Sequence, residues 1–95
     1  MSFPIAHIEN EQRRGFFIEQ AGKTVAEMTY SRVNDKLIII DHTVVDDSLS
    51  GQGVARSLLD ALVAWARESN TKVLATCPYA IAQFNKDPSI ADVRG

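Results

Sequence analysis

The chain has 95 residues, is 45% hydrophobic, and carries 10 basic against 12 acidic residues for a formal charge of −2. That length fits one domain over residues 1–95, with a modest core (about 60–65% of the unfolded surface buried) and a shallow ligand site. The balance lacks the basic excess of a nucleic-acid binder, no run reaches the ~18–20 apolar residues of a membrane span, no secretory signal pattern opens the chain, and the single Cys77 cannot form an internal disulfide, so a cytoplasmic protein without nucleic-acid or membrane partners is expected.

Ile5 to Ile8 is a short apolar patch that reads as an edge strand or a strand start, and Glu9 to Arg14 is a charged, solvated run that reads as a turn or an exposed strand segment. Phe16 to Gln20 is aromatic and β-branched. Ala21-Gly22-Lys23 then makes a tight turn, and Thr24 to Tyr30 alternates, so the two runs predict a hairpin. Ser31 to Asp35 reads as the next turn, Asn34-Asp35 being its strongest signal. Lys36 to Val45 holds four consecutive large aliphatics, Leu37 to Ile40, which predicts a strand covered on both faces at the centre of the sheet.

From Gly53 the period changes. Val54, Leu58, Leu62 and Trp65 recur at spacings of four, four and three, with Ala55, Leu59, Val63 and Ala66 alongside, so an amphipathic helix is predicted over 53–68. Asn70 suits the left-handed residue just past its end. Lys72 to Cys77 is a further short strand, and a strand–helix–strand order requires a parallel pair with a right-handed crossover. Pro78 opens a second helix that ends near Asp87-Pro88, and Ser89 to Gly95 reads as a polar surface tail. The fold class is therefore α/β: a mixed sheet built from an antiparallel meander, a strand–helix–strand unit and a short C-terminal helix.

The segment from Val44 through Gly51 and Gly53 to Leu59 is a strand, a glycine turn and a helix start. Such a turn offers free backbone N–H groups with the positive end of the helix behind them, a seat for a phosphate or diphosphate. A dinucleotide-type Gly-x-Gly-x-x-Gly would need a small residue where Arg56 stands, and the Gly-Lys-Ser/Thr of a P-loop is absent. Nothing has metal-ligand spacing.

These residues resemble the Gcn5-related N-acetyltransferases, whose acetyl-CoA signature is Gln/Arg-x-x-Gly-x-Gly/Ala between the fourth strand and the following helix. The corresponding hexad is Ser50-Gly51-Gln52-Gly53-Val54-Ala55, in which Gly53 and Ala55 match and Ser50 departs. A small single-domain, acetyltransferase-like subgroup is more similar still, through Asp41 to Leu49, Gly51 to Ala55, and Cys77-Pro78-Tyr79-Ala80 with Phe84. The resemblance implies a minimal version of that family's fold and acetyl-CoA as co-substrate. Amides of Gly51, Gln52, Gly53, Val54, Ala55 and Arg56 would hold the diphosphate, Arg56 adding a charge. The pantetheine arm would pair with Thr43, Val44 and Val45 where two parallel strands splay apart.

On the same resemblance, the thioester arrives between His42 or Val44 and the strand end that carries Cys77. Cys77 then reads either as a small buried hydrophobe or as a covalent acetyl carrier at a helix start. His42 reads either as a hydrogen-bonded structural residue or as the general base for an incoming amine. Tyr79 could protonate the leaving thiolate or simply pack. The implied activity is acetyl transfer from acetyl-CoA to a primary amine, on a protein or other large acceptor, by a monomer or weak homodimer. The alternative is a non-catalytic coenzyme A-binding or interaction module, which Ser50 and the lack of helices between the first two strands favour.

Overall fold

The computed structural model describes residues 4–95. In chain order these form β1 (Ala6–Glu9), β2 (Arg14–Gln20), β3 (Lys23–Asn34), β4 (Leu37–Val45), a 3-10 turn (Asp47–Leu49), α1 (Val54–Glu68), β5 (Lys72–Ala75), α2 (Pro78–Lys86) and a second 3-10 segment (Pro88–Val93). The sheet order is β1-β2-β3-β4-β5, antiparallel throughout except for the parallel β4–β5 pair. This is the expected meander followed by a crossover unit.

Local chemistry explains the corners. Ala21 and Gly22 both take positive φ (52° and 77°), the geometry of a two-residue hairpin turn whose twist suits the flanking strands. Asn70, at φ 56°, ends α1 in the left-handed region, as its short polar side chain allows. The turn after β3 is tighter than its sequence reads. Ser31, Arg32 and Val33 continue the strand, and only Asp35-Lys36 turn, with the Asn34 side-chain oxygen accepting from Lys36 N–H at 2.8 Å.

The core lies on one face of the sheet. Phe16, Ile18, Met28, Tyr30, Ile38, Ile40 and Val73 meet Leu58, Leu59, Leu62 and Val63 of α1 and Ala80 and Phe84 of α2. Two expectations are corrected here. The middle strand is β3, not β4, and Leu37 and Ile39 are only half-buried because, among the described residues, no helix covers the second face. The tail is not merely a polar surface segment either. Ile90 and Val93 are 4% and 3% exposed against the core, and Gly95 N–H reaches the Val73 carbonyl at 2.8 Å along the outer edge of β5. Two apolar residues three apart face one way on a 3-10 turn, whatever their polar neighbours do.

Glu9 is exposed, as its run predicts, and is also paired. Its carboxylate accepts from Tyr30 Oη at 2.6 Å and from Arg32 Nη2 at 2.8 Å, closing a network with His7 Nε2, which lies 2.8 Å from the same phenol.

Candidate active site

One irregularity in β4 organises the site. Ile40 stands opposite Tyr30 while His42 stands opposite Thr29, so Asp41 is an extra residue, a β-bulge. A bulge inverts the side-chain alternation beyond it. Ile38 and Ile40 face the helices before the bulge, and Thr43 and Val45, opposite buried Met28 and Ala26, do so after it. His42 and Val44 turn instead to the open face.

The bulge also marks where β4 loses one neighbour. Pairing with β5 runs from Leu37↔Lys72 to Ile40↔Ala75, whereas pairing with β3 continues to Ala26↔Val45. The Ile40 carbonyl accepts from Thr76 N–H (3.0 Å) and Cys77 N–H (3.3 Å), after which the chain turns into α2. Because Asp46 N–H donates to Val25 of β3 at 2.8 Å, strand alternation turns the main-chain groups of Thr43 and Val45 away from β3, into the gap. Two parallel strands thus part, and among the described residues the amides and carbonyls on the β4 side of the gap have no main-chain partner.

The glycine turn lies beyond the end of β4. Gly51 and Gly53 sit at φ 80° and 70°, and Gly53 is the N-cap of α1 without a side-chain cap. The first intrahelical bond is Ser57 N–H to Gly53 carbonyl, so among the described residues the N–H groups of Gly51 to Arg56 have no protein acceptor. A Cβ at either glycine would meet nothing within 4 Å, so space lies open above the turn. A cavity of about 340 Å³ covers it, bounded by Val45, Leu49, Val54, Arg56 and Tyr79 among others.

Arg56 borders that cavity, yet its guanidinium is engaged. Nε donates to Asp60 at 2.9 Å, Nη1 to the buried Gln83 at 2.7 Å, and Nη2 to Asp87. Hydrogen bonds from Ser89 and then Arg56 hold the Asp87 carboxyl down at about 2. Arg56 thereby ties the first turn of α1 to the far end of α2. Sequence reading missed Gln83 and Asp87, which lie 27 and 31 positions away and carry no local signal.

The two candidate catalytic side chains are on opposite faces. Cys77, the N-cap of α2, is 4% exposed, and its Sγ lies 3.4 Å from Thr43 Oγ1 on the helix side of the gap. Tyr79 follows it, its hydroxyl pushed to higher pKa by burial. His42 is exposed on the open face, with Nε2 at 3.2 Å from Glu27 Oε2 and Nδ1 at 3.2 Å from Thr29 Oγ1. It opens onto a cavity of about 460 Å³ whose walls include Arg13, Arg14, Glu27 and Asp41. The sequence placed Cys77 and His42 at one thioester, and the structure puts them either side of one strand gap.

Residues 15–93 match the GCN5-related N-acetyl-transferase family. The solution structure of a GCN5-like protein from Staphylococcus aureus is 40% identical, covers 98% of this chain and 88% of its own, and superposes with a TM-score of 0.77. Protein NATD1 of Mus musculus is 29% identical over 86 residues, 90% of this chain and 78% of that protein. The ribosomal-protein-S18-alanine N-acetyltransferase of Escherichia coli shares the fold at 23% identity and a TM-score of 0.62, over 81% of this chain but 52% of that one. A match that runs from Gly15 to Val93, through the strand gap, the glycine turn and both helices, makes this chain a member of the GCN5-related N-acetyltransferase family, the acetyl-CoA-dependent N-acetyltransferases.

Proposed function

We propose that this chain binds acetyl-CoA in the gap between β4 and β5 and moves the acetyl group to a primary amine. The single observation that carries the reading is that β4 keeps its β3 partner to Val45 but gives up its β5 partner at Ile40. The diphosphate would sit on the amides of Gly51 to Arg56, and the pantetheine amides would pair with the main chain of Thr43 and Val45, Val44 turning its side chain outward. Arg56 serves this site by holding α2 in place rather than as a free cation.

The catalytic candidates take separate tasks. Cys77 receives the acetyl group from the thioester: a bond forms from its sulfur to the carbonyl carbon, the carbon–sulfur bond of acetyl-CoA breaks, and coenzyme A leaves as the thiol with the proton that Cys77 gives up. His42 takes a proton from the ammonium form of the acceptor, so that a neutral amine attacks. His42 stands exposed on the open face, above a broad cavity that suits a large acceptor such as a protein terminus or lysine side chain.

Calorimetry with coenzyme A, followed by a thiol-release assay over candidate amines, tests the reading. Binding with amine-dependent thiol release supports it. Binding without release supports instead a coenzyme A-binding module, a reading that Ser50 at the head of the signature favours, and no binding overturns both.

A further inference from the structure

The open face of the sheet carries a second group of side chains that the gap and the glycine turn do not use. His42 is the first β4 residue past the bulge, and Glu27 and Thr29 reach it from β3. We propose that Glu27 is a positioning residue for His42: it accepts from Nε2–H, leaves Nδ1 as the proton-accepting nitrogen, and so makes the open face the side from which a cationic amine arrives. This deepens the reading of His42 as the base and rests on it.

The chemistry follows from the inventory of donors. An ionised carboxylate only accepts, so a Glu27 oxygen 3.2 Å from Nε2 selects the tautomer protonated there. Nδ1 then keeps its lone pair, and the Thr29 hydroxyl sits between the two ring nitrogens, 3.2 Å from Nδ1 and 3.4 Å from Nε2. The acceptor enters as an ammonium, and the cavity that His42 opens onto offers it Glu27 and Asp41 among walls that also include Arg13 and Arg14. The ammonium gives one proton to Nδ1, and its freed lone pair attacks the acetyl carbonyl carbon from the open face. The bond between that carbon and the Cys77 sulfur, formed when coenzyme A left, breaks with its electrons leaving on the Cys77 sulfur. The second nitrogen proton goes to that sulfur, and His42 later returns its proton to solvent.

The pair is exposed (side chains 56% and 30%), so it contributes little to folding, and catalysis can be separated from stability. The test uses Glu27→Gln, His42→Gln and the double variant, with coenzyme A affinity and thermal unfolding as controls. Glu27→Gln should keep coenzyme A affinity and the unfolding midpoint, lower kcat at least about tenfold, and add nothing in the His42→Gln background. A kcat within twofold of the parent, or a full additional loss in the double variant, overturns the proposal. Nitrogen-15 spectra of the His42 ring give a readout independent of turnover. The tautomer protonated on Nε2 should dominate in the parent and lose that dominance in Glu27→Gln, and an unchanged tautomer ratio contradicts the proposal. Failure of coenzyme A to bind the parent would instead strike the acetyl-CoA reading, leaving the ring spectra to decide the role of Glu27.

Discussion

The Cys77 amide reaches 3.3 Å back to the Ile40 carbonyl, and past that bond β4 has no main-chain partner on its β5 side among the described residues. One residue further on, Asp41 bulges out and exchanges the faces of everything that follows. A gap lined by free main-chain groups and a switch of side-chain faces therefore arise from the same two residues of one strand.

Gly53→Ala tests the glycine turn. At φ 70° a side chain is strained by about 1–2 kcal/mol, although nothing within 4 Å would touch the added carbon. That methyl would stand in the open space above the amides. Coenzyme A affinity should fall about tenfold or more in calorimetry, beyond what the modest drop in stability explains. Equal affinity would show that the turn does not hold the diphosphate.

Gly15→Ala is a test of packing alone. A Cβ there would lie 2.5 Å from the Met28 carbonyl oxygen and 2.9 Å from Thr29 Cα, both main chain, so β2 and β3 would have to separate. Urea unfolding should show a loss of about 3 kcal/mol or more. A loss of less than about 1 kcal/mol would mean that the two strands can separate easily at this register.

Arg56→Ala should lower the unfolding midpoint of the ligand-free protein, because the guanidinium bridges Asp60, Gln83 and Asp87 across α1 and α2. Arg56→Lys should not restore it, since a single ammonium cannot serve three spread acceptors. Were Arg56 only a diphosphate ligand, both variants would melt like the parent without coenzyme A.

Acid should weaken the fold through Glu9 and Asp87. Arg32 and Tyr30 bonds hold Glu9 down at about 2, and Ser89 and Arg56 do the same for Asp87. Folded values below the unfolded ones mean that the stabilisation is complete above the unfolded range and disappears as the unfolded chain takes up protons first. The unfolding midpoint should therefore fall between about pH 5 and about pH 2, and Glu9→Gln with Asp87→Asn should flatten that slope. An equally steep fall in the double variant would place the acid sensitivity elsewhere.

Cys77→Ala examines the carrier role. The parent, given acetyl-CoA without acceptor, should gain one acetyl group on Cys77 by mass spectrometry, and the variant should gain none and lose most transfer. Undiminished transfer by the variant would leave Cys77 as wall, not carrier.

Much of this fold was legible because periodicity and turn chemistry agree. The stripe from Val54 to Ala66 gave α1 to within a residue, and Gly22 and Asn70 marked corners by their tolerance of positive φ. What escaped is what alternation cannot encode. Within Leu37 to Val45 nothing distinguishes Asp41 as an extra residue, and unbroken alternation would put His42 and Val44 on the face of Ile40, where the structure does not have them. The Arg56–Asp87 and His42–Glu27 contacts join distant segments, and a sequence offers only the charges, not their meeting. Ile90 and Val93 were hidden by the polar composition around them.

The central claim is that coenzyme A occupies the gap and the glycine turn together, and amide chemical-shift mapping during a coenzyme A titration of the nitrogen-15-labelled protein tests it most directly. The account predicts saturable shifts at Thr43, Val45 and Gly51 to Arg56, with the amides of Ala6 to Glu9 on the far edge unmoved. Shifts confined to other surfaces, or none at saturating coenzyme A, would contradict it.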